Sequence, residues 1–252
     1  MIKTFVKRII LLMIILLIWY FASQRFNPIF VPNPSKVFSD FIEVIRTGMI
    51  FKAFKYSFLR ITIATLLSGL IAIPMGLLIY NVNFAKDFLY PIVSVIRYVP
   101  VTAFYPLLIM WFGIDELMKI VFLFICTFVY MMPSVMLALD EVNDDLIDTG
   151  LTIGMNKLQV ITRIQIPAIM PSLMNSFIMM YGIGWTYIAV AETINAKFGL
   201  GYIIQQSSSR GRTDLVFLGI ISIMIISVVF DSLTKMLVKK IFKWRYLSEE
   251  FD

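Results

Sequence analysis

The residues able to do chemistry in this sequence are few, and most of them crowd into one stretch. Between Asp140 and Pro171 the chain reads DEVNDDLIDTGLTIGMNKLQVITRIQIPAIMP, with acids, amides and glycines set between two apolar segments. Asn143, Asp144 and Asp145 are suited to cap a short helix beginning near Leu146, with acids at its positive end. Gly150 and Gly154 then weaken that helix and permit a turn. Asn156 followed by Gln159 reads as a capping box opening a second helix. There Leu158, Ile161 and Ile164, with Gln165 beside them, form an apolar face for the end of a helical bundle, and Pro167 and Pro171 mark where the next apolar segment begins. The product is a helix–turn–helix elbow whose first helix, Leu146 to Ile153, offers mixed apolar and polar groups to a partner. A bare connection would need only a few residues, so the chemistry here is recognition rather than bond-making.

Elsewhere the chemically able groups thin out. The chain has no histidine and one cysteine, which excludes a His/Cys metal site and a disulfide framework. Cys126 lies in an apolar run and reads as a small packing residue. No convincing nucleophile–base pair is present, which argues against an intramembrane enzyme. No GxxxxGK[ST] phosphate loop occurs, so this chain is not expected to hydrolyse ATP. Two ionisable residues stand in apolar surroundings. Arg97 must face a protein interior or a wet cavity, or lie near enough to a helix end to snorkel. Glu192 closes an apolar segment, either on a pathway or as a solvated loop acid.

The elements that must position these residues are membrane spans. The 252 residues are 60% hydrophobic and only 15% charged, and the mean hydropathy is +0.87, which places the chain among integral membrane proteins. Long unbroken apolar runs favour helices over barrel strands. The net charge of +6 comes from chain ends and short loops, as for membrane anchoring, so nucleic acid is not a partner. About six spans are expected, at residues 9–22, 58–80, 88–112, 120–139, 172–191 and 215–237. The first follows Lys3, Lys7 and Arg8 and lacks the small residue at −3 that a cleaved signal peptide would need before Ser23. A short amphipathic helix carrying Val37, Phe38, Phe41, Ile42 and Ile45 follows, lying on the outer face. In the second span Ala64, Ser68, Ala72 and Gly76 form a strip of small residues for close helix packing, and Pro74 should kink the helix. Pro91, Pro100 and Pro106 break the third span, which holds Arg97, and Pro133 lies in the fourth.

Six spans put both termini on one side. The N-terminal cations with Lys235, Lys239, Lys240, Lys243 and Arg245 make that side cytoplasmic, although the excess of basic residues there is slight. The elbow is then cytoplasmic, and AETINAKFGLGYIIQQSSSRGRTD is extracytoplasmic. The expected division is an N-terminal span with its amphipathic segment (1–56), a core of five spans (57–240) with the loop 140–171, and a tail (241–252). No internal repeat or pair of buried acids marks a stand-alone secondary transporter.

The elbow sequence resembles the EAA loop of binding-protein-dependent ABC transporter permeases. Asp148-Thr149-Gly150, Gly154 and Ile164-Gln165-Ile166-Pro167 stand where that loop has E-A-A, G and I-x-L-P. Asp148 replaces Glu, Thr149 and Gly150 replace the alanines, and Ile166 replaces Leu. The resemblance covers nearly the whole chain and is closest to the nitrate, sulfonate, taurine and bicarbonate importer branch. VPNPSKVF, SFLRITIATLLSGLIAIPMGLL, FYPLLIMWFGIDELMKI and AVAETINAKFGLGYIIQQSSSRGRTDLVFLGI are similar to that branch's segments in collinear order. In IRYVPVTAF, Tyr98 and Val101 stand in place of two prolines.

The resemblance implies an all-α membrane protein of type I ABC importer permease (MetI-like) architecture with a cytoplasmic coupling-helix elbow. It implies a homodimer working with two ATP-binding subunits and an extracytoplasmic solute-binding protein, with ATP and Mg on the ATPase and no cofactor or metal in this chain. Coupling would fall to Asp145, Leu146, Asp148, Thr149, Gly150, Leu151, Thr152, Ile153, Gly154, Met155, Ile166 and Pro167. The path would run along the dimer axis past Arg97, Tyr98, Pro100, Trp185, Tyr187 and Glu192. Gly199, Leu200 and Gly201 would form an outer turn. Substrates of that branch are small anions such as a sulfonate, taurine, nitrate or bicarbonate. Similar permeases serve thiamine precursors, riboflavin and aromatic acids.

Overall fold

The computed structural model describes the backbone of residues 2–243 and the side chains of residues 6, 7 and 9–243. The tail from Trp244, with Arg245, and the side chains of Lys3 and Arg8 therefore lie outside the described residues. Eleven helices follow one another, and no strand occurs among the described residues: α1 (Ile2–Arg25), α2 (Pro34–Arg46), α3 (Met49–Asn81), α4 (Asn83–Val95), α5 (Tyr105–Phe112), α6 (Glu116–Asp140), α7 (Asp144–Thr152), α8 (Lys157–Val160), α9 (Ile166–Ala191), α10 (Leu200–Ser209) and α11 (Thr213–Ile241). Two 3-10 turns, Ile96–Tyr98 and Val101–Phe104, join α4 to α5, and a π-helical segment, Ile161–Gln165, joins α8 to α9.

Four stretches are long and apolar enough to cross a membrane: Met49–Asn81, Glu116–Asp140, Lys157–Ala191 and Thr213–Ile241. A fifth is the pair Asn83–Tyr98 and Val101–Phe112, bent by 85°. The first expected span, 9–22, corresponds to α1, whose apolar stretch, Ile9–Arg25, is shorter than the others. The bend falls at Val99 and Pro100. Pro106 sits in the first turn of α5, where its missing N–H costs nothing, and Pro91 is absorbed inside α4. The second span starts at Met49 rather than Phe58, because Lys52 and Lys55 hide two good helical turns from a hydropathy reading. That helix runs on through Pro74 to Asn81.

The chain forms two compact units. One contains the residues up to Phe58 with Glu192–Ile225, and the other contains Leu59–Ala191 with the residues from Ile226 onward. In the first unit α2 is capped by Asn33, whose side chain accepts the Ser35 N–H at 2.9 Å. Val37 and Val44 are its buried residues, with Phe41 half-buried between them, while Phe38, Ile42 and Ile45 of the expected face are exposed. The spacing i, i+4, i+7 selects that narrower stripe. The Trp19 indole donates to the Pro32 carbonyl at 3.0 Å and stacks on Phe217.

In the second unit α6 and α9 pack along their length around Met131, Met132, Val135, Leu139, Ile169 and Leu173. Ala64, Ser68 and Ala72 of the small-residue strip are wholly buried, and Gly76 lies against Val135. Cys126 is buried in α6.

Candidate coupling elbow and polar clamps

The elbow starts where α6 ends. Asn143 takes an extended conformation and its side chain accepts the Asp145 N–H at 2.8 Å, so α7 begins at Asp144, two residues before Leu146. Asp144 and Asp145 occupy its first turn, at the positive end of the helix. The hydroxyls of Thr149 and Thr152 donate back to the carbonyls of Asp145 and Asp148, at 2.6 and 2.8 Å. After Thr152 the chain turns at Gly154, whose φ of +89° disfavours any side chain, and the Met155 N–H closes onto the Gly150 carbonyl. Asn156 and Gln159 form the reciprocal capping box, at 2.9 and 2.8 Å.

Two expectations need correction. Gly150 does not interrupt the helix: it is buried inside α7, and a Cβ there would lie 2.5 Å from Ile164 Cδ1. Its absent side chain lets α7 lie against Ile164. The second limb is also not a separate helix covering the bundle end, because helix continues from Lys157 to Ala191. Leu158 is 68% exposed, while Val160 and Gln165 are the buried positions. Gln165 and Asn81 exchange two amide hydrogen bonds, at 2.9 and 3.1 Å, rooting the limb on α3.

On the finished elbow Asp145, Leu146, Asp148, Thr149, Leu151, Thr152, Ile153 and Gly154 are exposed, Met155 and Ile166 half-buried, and Pro167 exposed. A groove of about 310 Å³ runs beside it, lined in part by Glu141, Asn143, Leu146, Ala168 and Ser172. The Ser172 hydroxyl donates to Glu141 across it at 3.1 Å.

The six path candidates are not one surface. Arg97, Tyr98 and Pro100 are exposed at the 85° bend, with the Arg97 guanidinium 5.3 Å from the Tyr98 ring. Trp185 is a core side chain at 1% exposure, and Tyr187 is half-buried, edge-on to Phe122. Glu192 belongs to the other unit and has no exposed surface, so the solvated-acid reading does not hold. Its carboxylate accepts the Ser57 hydroxyl at 2.8 and 3.1 Å and the Gly201 N–H at 2.8 Å. Ser57 Oγ in turn accepts the Leu200 N–H at 2.9 Å. Gly199, Leu200 and Gly201 are thus a helix start held by a buried carboxylate and a hydroxyl. A Cβ on Gly199 would meet Glu192 Oε2 at 2.2 Å, and its φ is +144°.

Two further polar clusters join residues from far apart in the chain. Arg60, buried in α3, makes a two-pronged ion pair with Glu116, through Nε and a terminal nitrogen at 2.7 Å each. Lys119, also buried, reaches the same carboxylate at 3.3 Å. The pairing partners lie 56 residues apart, so only the recurrence of Glu116 and Lys119 in the WFGIDELMKI segment could have drawn attention to them. In the first unit Lys36 and Arg212 both pair with Asp214, at 3.1 and 2.9 Å, and Arg212 also reaches Asp40 at 3.4 Å. Burial and the adjoining Asp214 carboxylate push the Asp40 carboxyl above its ordinary range. No group of three His, Cys, Asp or Glu able to hold a metal occurs among the described residues.

Residues 68–243 match the family described as binding-protein-dependent transport system inner membrane component. The chain is 26% identical over 240 residues to the taurine transport system permease protein TauC of Escherichia coli (strain K12), covering 92% of this chain and 87% of that one. It is 28% identical over 215 residues to a Bacillus subtilis (strain 168) protein named as an aliphatic sulfonates transport permease, SsuC, covering 85% and 78%. A chain of the MetNI methionine ABC transporter, solved in inward-facing conformations, superposes with a TM-score of 0.61 at 19% identity, over 75% of this chain and 95% of that one, a likeness of fold. With the family match spanning well over half the sequence, the chain belongs to the binding-protein-dependent transport system inner membrane components and is the multi-pass permease subunit of an ABC importer.

Proposed function

We propose that this permease works as a homodimer with two copies of a separate ATPase, and that α7 is the helix the ATPase grips. ATP and Mg reside on that partner, and this chain contributes no catalytic group. Both termini and the elbow face the cytoplasm. The observation that carries the reading is the outer face of α7 and its turn, where Leu146, Leu151 and Ile153 stand 52%, 47% and 69% exposed on a helix capped at its start. Large apolar side chains held out on a polar elbow have no neighbour to cover them within the described residues, and a partner groove would do so. Closure of the ATPase dimer on ATP would pull the elbow, and its two arrangements would bias the spans through differential affinity.

The substrate we infer is a small anion of the sulfonate or taurine kind. The likeness to permeases named for taurine and aliphatic sulfonates supports this, and the exposed Arg97 suits an anionic load. Asp148→Lys and Gly154→Leu should abolish ATP-driven uptake in proteoliposomes and release the ATPase during purification. Full uptake by both variants would remove the elbow from the coupling role.

A further inference from the structure

We infer that the cavity between the first turns of α3 and α10 is a binding site for a small organic anion, with sulfonate as the chemistry that fits. The inference rests on the substrate class and orientation proposed above, which place the cavity on the extracytoplasmic side. Its volume is about 320 Å³, at the lower end of sites that enclose small molecules. Met49, Lys52 and Ala53 come from one face of α3. Tyr202, Ile203 and Gln206 come from one face of α10, at the i, i+1, i+4 positions of a helical stripe.

The charges in the lining have one sign. Lys52 and Lys197 line the cavity, and none of the described residues lining it is acidic. The Lys52 ammonium sits 3.6 Å over the Phe198 ring, which is itself stacked on Tyr56 at 5.1 Å. A ring face orients an ammonium without neutralising it, so the charge stays available to an anion. Gln206 Nε2 donates to the Tyr202 hydroxyl at 2.6 Å, which occupies the phenol as acceptor and leaves its proton free to donate. Lys52, Lys197 and Tyr202 supply two cationic groups and a phenol for an anionic head, and Met49, Ala53 and Ile203 offer an apolar wall for a short carbon body. The Glu192 carboxylate, through the Gly201 N–H, fixes the first turn of α10 and hence the distance between the two walls.

The test uses the purified transporter complex in phosphatidylcholine nanodiscs, with ethanesulfonate as probe and dimethyl sulfone as its neutral counterpart. Acetylation of each lysine by an N-hydroxysuccinimide ester is followed by mass spectrometry. Ethanesulfonate should slow the reaction severalfold at Lys52 and Lys197 and leave Lys235 unchanged, and dimethyl sulfone should protect neither. In uptake, Lys52→Gln combined with Lys197→Gln should raise KM about tenfold, the scale of a lost charged hydrogen bond. The site is overturned by absence of protection, by equal protection from equimolar sodium chloride, or by protection that appears only when phosphatidylglycerol is present, which would make the occupant a lipid headgroup. Taurine uptake by the wild-type complex separates the two readings. Uptake without protection removes the site and keeps the substrate class, and protection without uptake keeps the site and removes the substrate class.

Discussion

The elbow at α7 and the clamp at Glu192 both solve the problem of starting a helix, and they solve it in opposite ways. At the elbow, neutral amides cap the exposed N–H groups: Asn143 for α7, and Asn156 with Gln159 for the limb that follows. At the clamp, a carboxylate with no exposed surface accepts from Gly201 and Ser57, and Ser57 serves Leu200. In each region a glycine lies beneath a side chain. Gly150 faces the flexible end of Ile164, whereas Gly199 faces the carboxylate itself. A water-exposed cap can open and be replaced by solvent at a cost of about 1 kcal/mol. Donors buried against a carboxyl group with no exposed surface have no such exchange. The first construction presents a surface that can move, and the second fixes a backbone.

The strongest break in that comparison is at Glu192. Glu192→Ala should leave the buried Gly201 N–H and Ser57 hydroxyl without their acceptor, costing about 3 kcal/mol in thermal unfolding of the purified protein. Gly199→Ala should cost a similar amount, since its Cβ would overlap Glu192 Oε2 and its φ of +144° is strained for any side chain. Glu192→Gln keeps one acceptor and should lose about half as much. If Glu192→Ala unfolds at the wild-type temperature, the carboxylate is not holding α10, and a role on the translocation path regains its standing.

Local signals were legible in the sequence. The capping box at Asn156, the cap at Asn143, the break at Pro100 and the apolar runs of α6, α9 and α11 each depend on residues a few positions apart. Partners that meet from far along the chain leave no such signal. Ser57 and Glu192 are 135 residues apart, so nothing in AETINAKFGLG reveals which hydroxyl its acid will hold. Gly150 read as a helix breaker because sequence shows a missing side chain but not Ile164 filling the space. Leu158 read as part of the face laid against the bundle because it shares a helical spacing with Ile161 and Ile164, which are half-buried while Leu158 is exposed.

Gly150→Ala sharpens the contrast between the two glycines. The obstructing atom is the tip of Ile164, 2.5 Å from the added Cβ, and it can rotate away. Stability should therefore fall by only about 1 kcal/mol, well below Gly199→Ala, while ATP-driven uptake drops because the Ile164 contact that seats α7 is disturbed. Shortening the neighbour with Ile164→Ala in the same chain should restore uptake in part. A Gly150→Ala loss as large as that of Gly199→Ala would mean that the elbow is as rigid as the clamp.

The smallest expected effect lies at the cap itself. Asn143→Ala removes the acceptor for the Asp145 N–H, an exposed bond of 2.8 Å, and should cost about 1 kcal/mol locally. Amide exchange at Asp145 and Leu146 should quicken about fivefold by mass spectrometry, the kinetic equivalent of that energy, with the melting temperature nearly unchanged. Asn143→Asp should keep wild-type exchange, because a carboxylate caps equally well and favours the positive helix end. Unchanged exchange in Asn143→Ala would mean that α7 is held by the Ile164 contact alone, and the elbow would then resemble the clamp in being fixed by buried contacts rather than by a cap that water can replace.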